Sequence, residues 1–212
     1  MMQLANIFKS SMLLFAALLM TVGSVSVHAE DMPAPQALVK KASDDMLAAL
    51  AEHEADLASD PTKIYGLVEE ILIPHFDFAR MAKLALGKNW HQLDDMQQEK
   101  FVEEFRVLLV RTYSTAMLEY TDEEIRFLPF RDDLSKKRVD VPMEVVQKGG
   151  PGIPMTLSLY QKSDDEWKVY DVKIEGISLV TNYRSSFSRD INNGGVDKLI
   201  EDLAQRNEKA KS

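Results

Sequence analysis

The stretch RVDVPMEVVQKGGPGIPMTLSLYQKSDDEWKVYDVKIE, residues 138–175, decides the fold class of this chain. Val139, Val141, Met143 and Val145 alternate with Arg138, Asp140 and Glu144, while Met155, Leu157 and Leu159 alternate with Thr156, Ser158 and Tyr160. A period of two sends alternate side chains to opposite faces of an extended chain. Together with the run just upstream, the pattern predicts four strands, over residues 125–130, 138–146, 155–161 and 167–175. The connections between them are polar or rich in Gly and Pro, over residues 131–137, 148–154 and 163–166. They are too short for crossovers, so the strands are expected to form an antiparallel meander.

Upstream of the strands the apolar period is helical. After a Pro-bearing lead at residues 32–35, Leu38, Ala42, Met46, Ala49, Leu50 and Leu57 recur at helical spacing. Asp60-Pro61 predicts an N-cap with Pro at the first helical position, opening a helix that carries Ile64, Leu67, Val68, Ile71 and Leu72 and stops at Pro74. Asp77 is placed to cap another helix, which Gly87 ends. Asp94, with Gln97 three residues on, predicts a capping box and a long helix to about Tyr120. Downstream of the strands come a polar-aromatic stretch at residues 182–187, an Asn-Asn-Gly-Gly break at 192–195, and a last helix from Val196 to about Gln205. Helices, then sheet, then helix is the order of a single α+β domain.

The first 29 residues are expected to lie outside that domain. Lys9, the apolar run MLLFAALLM (residues 12–20) and the small-residue close Val27-His28-Ala29 have the order of a secretory signal cut after Ala29. The run is too short to cross a bilayer, which takes about 20 apolar residues. The signal holds one Lys and no acid, so the formal charge of −9 becomes −10 in the mature chain, residues 30–212. Such a chain repels nucleic acid and anionic bilayers. It contains no Cys, so neither lipidation at the cut nor disulfides are available.

Candidate chemistry is sparse. His75 and Asp77 flank a turn, where a helix-capping Asp and a loop His are expected rather than half of a metal site. His53 lies on a polar helix face and His91 has no partner nearby. The pairs Asp132-Asp133 and Asp164-Asp165 fit solvated turns. There is no nucleophile elbow, phosphate loop or zinc-protease motif. Asp171 stands out, because a carboxylate among Trp167, Val169, Tyr170 and Val172 needs a partner or a raised pKa. It is either an anchor for a backbone or Arg contact or a buried general base. The basic residues Lys136, Lys137, Arg138, Arg126 and Arg131 fit a solvated strand edge, with a partner or lipid-phosphate contact as the alternative.

Residues 74–120 (PHFDFARMAKLALGKNWHQLDDMQQEKFVEEFRVLLVRTYSTAMLEY) and 167–203 (WKVYDVKIEGISLVTNYRSSFSRDINNGGVDKLIEDL) resemble the MlaC family. This is the toluene-tolerance family of periplasmic phospholipid-binding proteins. The most specific pieces are Leu86-Gly87-Lys88 with Trp90, Leu109-Val110-Arg111-Thr112-Tyr113, and Tyr170-Asp171-Val172 leading to Glu175-Gly176-Ile177-Ser178-Leu179. The resemblance implies helices wrapped on a curved four-stranded antiparallel sheet, a cone like that of cystatins and nuclear transport factors, with an apolar cavity and closing C-terminal helices. It implies a monomeric, non-enzymatic carrier in the periplasm with bound phospholipid as cargo and no cofactor. Its partners would be an outer-membrane lipoprotein–porin complex and the substrate-binding component of an inner-membrane ABC transporter, in a pathway that maintains outer-membrane lipid asymmetry.

For a carrier of that kind, the expected lining is Phe101, Phe105, Leu108, Leu109 and Tyr113 from the long helix. From the sheet it is Val139, Val141, Met143, Met155, Leu157, Val172 and Ile174, with Ile177 and Leu179 at the mouth. The two methionines suit mobile acyl chains, because an unbranched thioether re-packs readily. Two other readings stay open. One is an isomerase- or dehydratase-like enzyme of the cone-shaped superfamily, using Asp171 with Tyr113 or Tyr170. The other is a structural envelope protein with a solid core.

Overall fold

The computed structural model describes residues 32–119, 124–146, 150–163 and 166–209. The expected signal segment, Tyr120, Lys148, Gly149 and the Asp164-Asp165 pair lie outside them. Six helices run as α1 (Ala34–Glu52), α2 (Glu54–Ser59), α3 (Ile64–Ile71), α4 (Phe78–Leu86), α5 (Asp95–Ser114) and α6 (Leu179–Lys209). The strands are β1 (Glu124–Phe127), β2 (Arg138–Val146), β3 (Ile153–Gln161), β4 (Trp167–Ile174) and β5 (Ile177–Ser178).

Local chemistry sets the helix starts. The Asp77 Oδ1 accepts from the Arg80 N–H at 2.9 Å and opens α4. At α5 the capping box is complete: Gln97 N–H donates to Asp94 Oδ1 at 2.8 Å, and Asp94 N–H donates to Gln97 Oε1 at 2.9 Å. Asp60 instead caps a short 3-10 turn, Pro61–Lys63, that leads into α3. α6 is helical throughout except at Gly195, whose φ of 83° and ψ of 172° mark a kink. The stretch 182–187, which the sequence assigns to no regular element, forms early turns of α6, because Val180, Phe187 and Ile191 fall on one buried face.

The sheet is a meander in the order β1-β2-β3-β4-β5, antiparallel throughout. It has five strands where four are expected. Glu175 and Gly176 form a two-residue turn, with φ of 50° and 79°, that sets Ile174 opposite Ile177. Two successive left-handed residues make the tight turn that matches strand twist. Reading Glu175 as the end of a strand hides this turn. β1 is shorter than expected because Pro142 has no N–H to offer it; Leu128 N–H donates to the Pro142 carbonyl at 3.1 Å and the pairing ends there.

One irregularity shapes the sheet's inner face. Ser158 pairs with Asp171 but Leu159 pairs with Val169, so Tyr170 is an extra residue in β4. The bulge lets Val169 and Val172, three apart, face the same side as Leu159 and Leu157. The first half of β4 has its outer edge covered by Phe76 and Asp77, whose N–H donates to the Val169 carbonyl at 2.9 Å.

Three apolar clusters make up the core. Met81, Leu86, Phe101, Phe105, Phe187 and Leu203 join α4, α5 and α6. Val39, Val139, Val141, Leu159, Trp167 and Val169 join α1 to the sheet. Met46, Leu57, Ile64, Val68 and Val110 join α1, α2, α3 and α5. Where the three clusters meet, they do not close.

Candidate functional site

The space they leave is a cavity of about 450 Å³. Members of all three clusters line it: Leu109 and Met81, then Val39, Met143 and Val169, then Met46, Val68 and Val110. Protein interiors normally hold few voids larger than a water molecule. A dry void of this size left in a core would cost on the order of 10 kcal/mol at about 24 cal/mol per Å³, as much as a whole domain's stability. Its volume falls in the range of small-molecule sites. The cavity is therefore a built site.

Each wall follows from its element. α1 contributes Leu38, Ala42, Met46 and Leu50, the stripe seen in the sequence as a helix face but given no partner there. The segment before α4 contributes Ile73, His75 and Phe76, and the first residue of α4 contributes Phe78, while Asp77 between them in sequence accepts from the Tyr160 hydroxyl. α5 contributes Leu109, Val110, Tyr113 and Ser114. The sheet contributes Ile125, Met143, Val145, Ile153, Met155, Leu157, Val169, Val172 and Ile174. Glu175 and Leu179 stand at the end reached by the strand termini, where Glu175 and Ala116 are exposed. That end is the mouth.

Of the residues expected to line a cavity, the structure brings Leu109, Tyr113, Met143, Met155, Leu157, Val172, Ile174 and Leu179 together around it. It places six elsewhere. Phe101 and Phe105 are fully buried, stacked on each other with centroids 5.8 Å apart and edge-on to Phe187 at 5.5 and 5.6 Å. Leu108 packs against the same cluster. These three belong to the half of α5 that faces α4 and α6. Val139 and Val141 share the face of Met143, but Val39 and the α1 side of the core cover them, so the cavity ends before reaching them. Ile177 sits beyond the tight turn with 63% of its surface exposed.

Among the described residues, the lining has no Lys, Arg or Asp, one imidazole and one carboxylate-bearing residue. Burial lowers the pKa of His75, with Lys168 and Lys41 adding to the effect and Asp45 opposing it. Burial pushes the Tyr113 hydroxyl up to about 12, helped by the neighbouring Tyr183 hydroxyl. Asp171 is 8% exposed and is not part of the lining. Its Oδ2 accepts from the Ser178 hydroxyl at 2.6 Å and its Oδ1 from the Val180 N–H at 3.2 Å. The carboxylate ties β4 to β5 and to the start of α6, which is the anchor reading of its burial. Among the described residues the carboxylate's hydrogen-bond partners are thus Ser178 and Val180, whereas the Tyr113 hydroxyl neighbours Tyr183. Tyr170 lies on the outer side under the Arg80 guanidinium, 5.0 Å from it.

Comparison with known proteins agrees with this geometry. The family model described as MlaC protein matches residues 40–205. The intermembrane phospholipid transport system binding protein MlaC of Haemophilus influenzae is 22% identical over 173 residues, 81% of each chain. The toluene tolerance protein ttg2D of Pseudomonas putida is 28% identical over 180 residues, 84% of this chain and 83% of its own. A phospholipid-binding protein from Ralstonia solanacearum, solved in complex with a phospholipid, superposes with a TM-score of 0.76 at 31% identity, covering 84% of this chain and 98% of that one. With the family model spanning most of the sequence and the fold shared with a lipid-bound relative, this chain belongs to the MlaC family.

Proposed function

We propose that this chain is a periplasmic phospholipid carrier, exported by its N-terminal signal, that holds acyl chains in the cavity between sheet and helices. The observation that carries the reading is the cavity itself: about 450 Å³, walled almost wholly by apolar side chains and open at one end. A diacyl phospholipid exposes roughly 30 methylenes to water, each worth about 0.8 kcal/mol. Crossing an aqueous gap bare would therefore cost on the order of 20 kcal/mol, near the ceiling of non-covalent affinity. A carrier need only match the bilayer's apolarity, and near-equal free energies on the two sides allow both loading and delivery. Met46, Met81, Met143 and Met155 add re-packing walls to the cavity. The family's outer-membrane lipoprotein–porin complex and its inner-membrane ABC transporter are the partners between which such a carrier would move.

The reading is tested by transfer of a fluorescent phospholipid between donor and acceptor vesicles. Added protein is expected to raise the transfer rate in proportion to its concentration, and Leu157→Glu is expected to remove the effect. No acceleration by the wild-type protein would overturn it.

A further inference from the structure

Glu175 is an unusual residue for its position. It takes the first place of the two-residue turn between β4 and β5 with φ of 50°, where Asn, Asp or Gly is preferred. A left-handed residue with a long side chain is disfavoured by its Cβ, and turn geometry alone gives no reason for Glu. Glu175 is, however, the one carboxylate-bearing residue of the described cavity lining, and it is exposed. The nearby Glu144 is 3.6 Å from Arg126. Glu175 makes no ion pair or side-chain hydrogen bond to any described residue; its backbone N–H alone is engaged, with the Pro154 carbonyl at 2.9 Å. Nor does the described lining present a Lys or Arg to a lipid phosphate.

We propose that Glu175 biases the cargo toward phospholipids whose headgroup carries an amine, and against those with a net negative headgroup. The inference rests on the carrier reading. With the acyl chains in the cavity, the headgroup lies at the mouth, where an unneutralised carboxylate attracts an ammonium and repels extra negative charge. The site is exposed, so the bias is modest, about two- to five-fold by the measured strength of surface ion pairs. Salt screens it, with a Debye length of about 10 Å at 0.1 M.

The test loads the full mature protein from mixed vesicles of phosphatidylethanolamine and phosphatidylglycerol with matched acyl chains, then measures the ratio of the two lipids retained. Wild type is expected to hold about two- to five-fold more of the ethanolamine lipid than the vesicles offer, falling toward the vesicle ratio in 0.5 M salt. Glu175→Gln is expected to bring the ratio near the vesicle value, and Glu175→Lys to invert it. Glu175→Asn, which suits the turn better, is the second neutral variant and guards against a folding defect in the first. A wild-type ratio equal to that of the vesicles, or neutral variants that keep the wild-type ratio, would overturn the proposal. Wild type that takes up neither lipid would instead overturn the carrier reading.

Discussion

Leu157 lies in the middle of β3, paired with Val141 on one side and Val172 on the other, with its side chain on the cavity wall. A glutamate there puts a carboxylate where acyl chains would lie, and an unpaired charge in apolar surroundings is strongly disfavoured. Leu157→Glu is expected to leave the helical circular dichroism in place while losing bound lipid in native mass spectrometry. Retained lipid would contradict the assigned wall. Ile177, expected from sequence at the mouth, is exposed beyond the turn, and a charge there is expected to have far less effect. Asp171→Ala leaves the buried Val180 N–H without its acceptor and is expected to lower stability by about 1–3 kcal/mol in urea unfolding. His75 gives a pH dependence of known sign. Its folded pKa lies below the ordinary 6.5, so the folded state favours the neutral ring. That contribution is fully present above 6.5 and fades as pH falls toward the folded value. Wild type is therefore expected to lose stability relative to His75→Gln on acidification through that window; a difference independent of pH would contradict the assignment. The partners of Asp171 were not legible in the sequence, because the need for a partner shows locally while Ser178 and Val180 arrive only through the turn that follows.

At the scale of elements, α5 serves two environments. Its first turns present Phe101, Phe105 and Leu108 to α4 and α6, and its last turns present Leu109, Tyr113 and Ser114 to the cavity. A helix rises about 1.5 Å per residue, so a stripe of five turns spans far more than one site. The sequence therefore showed the stripe's angular face but not which length of it met which neighbour. Phe105→Ala separates the two roles. It is expected to reduce stability by about 3–5 kcal/mol in denaturant unfolding while lipid remains bound below the unfolding transition. Loss of lipid from fully folded protein would place Phe105 at the cavity after all. The strands were legible for a similar reason: alternation over β2 and β3 places Val141, Met143, Met155 and Leu157 on one face whatever packs there. The bulge at Tyr170 and the turn at Glu175-Gly176 each depend on one residue's backbone conformation, and alternation carries no sign of either.

Over the whole molecule, the three apolar clusters explain both stability and vacancy. Among the described residues, members of each cluster turn toward a shared cavity. The chain has a formal charge of −9 and no Cys, so electrostatics disfavour anionic bilayers and no disulfide supports the core. The fold class came from the order of helices and strands, whereas the cavity did not, since apolar residues that line a void and those that fill a core look alike in sequence. The central claim is that the cavity holds phospholipid. Native mass spectrometry of gently purified full-chain protein tests it most directly. Masses corresponding to bound phospholipid, released on denaturation and identified by fragmentation, are expected; protein that is lipid-free and stays so after incubation with phospholipid vesicles would contradict the account.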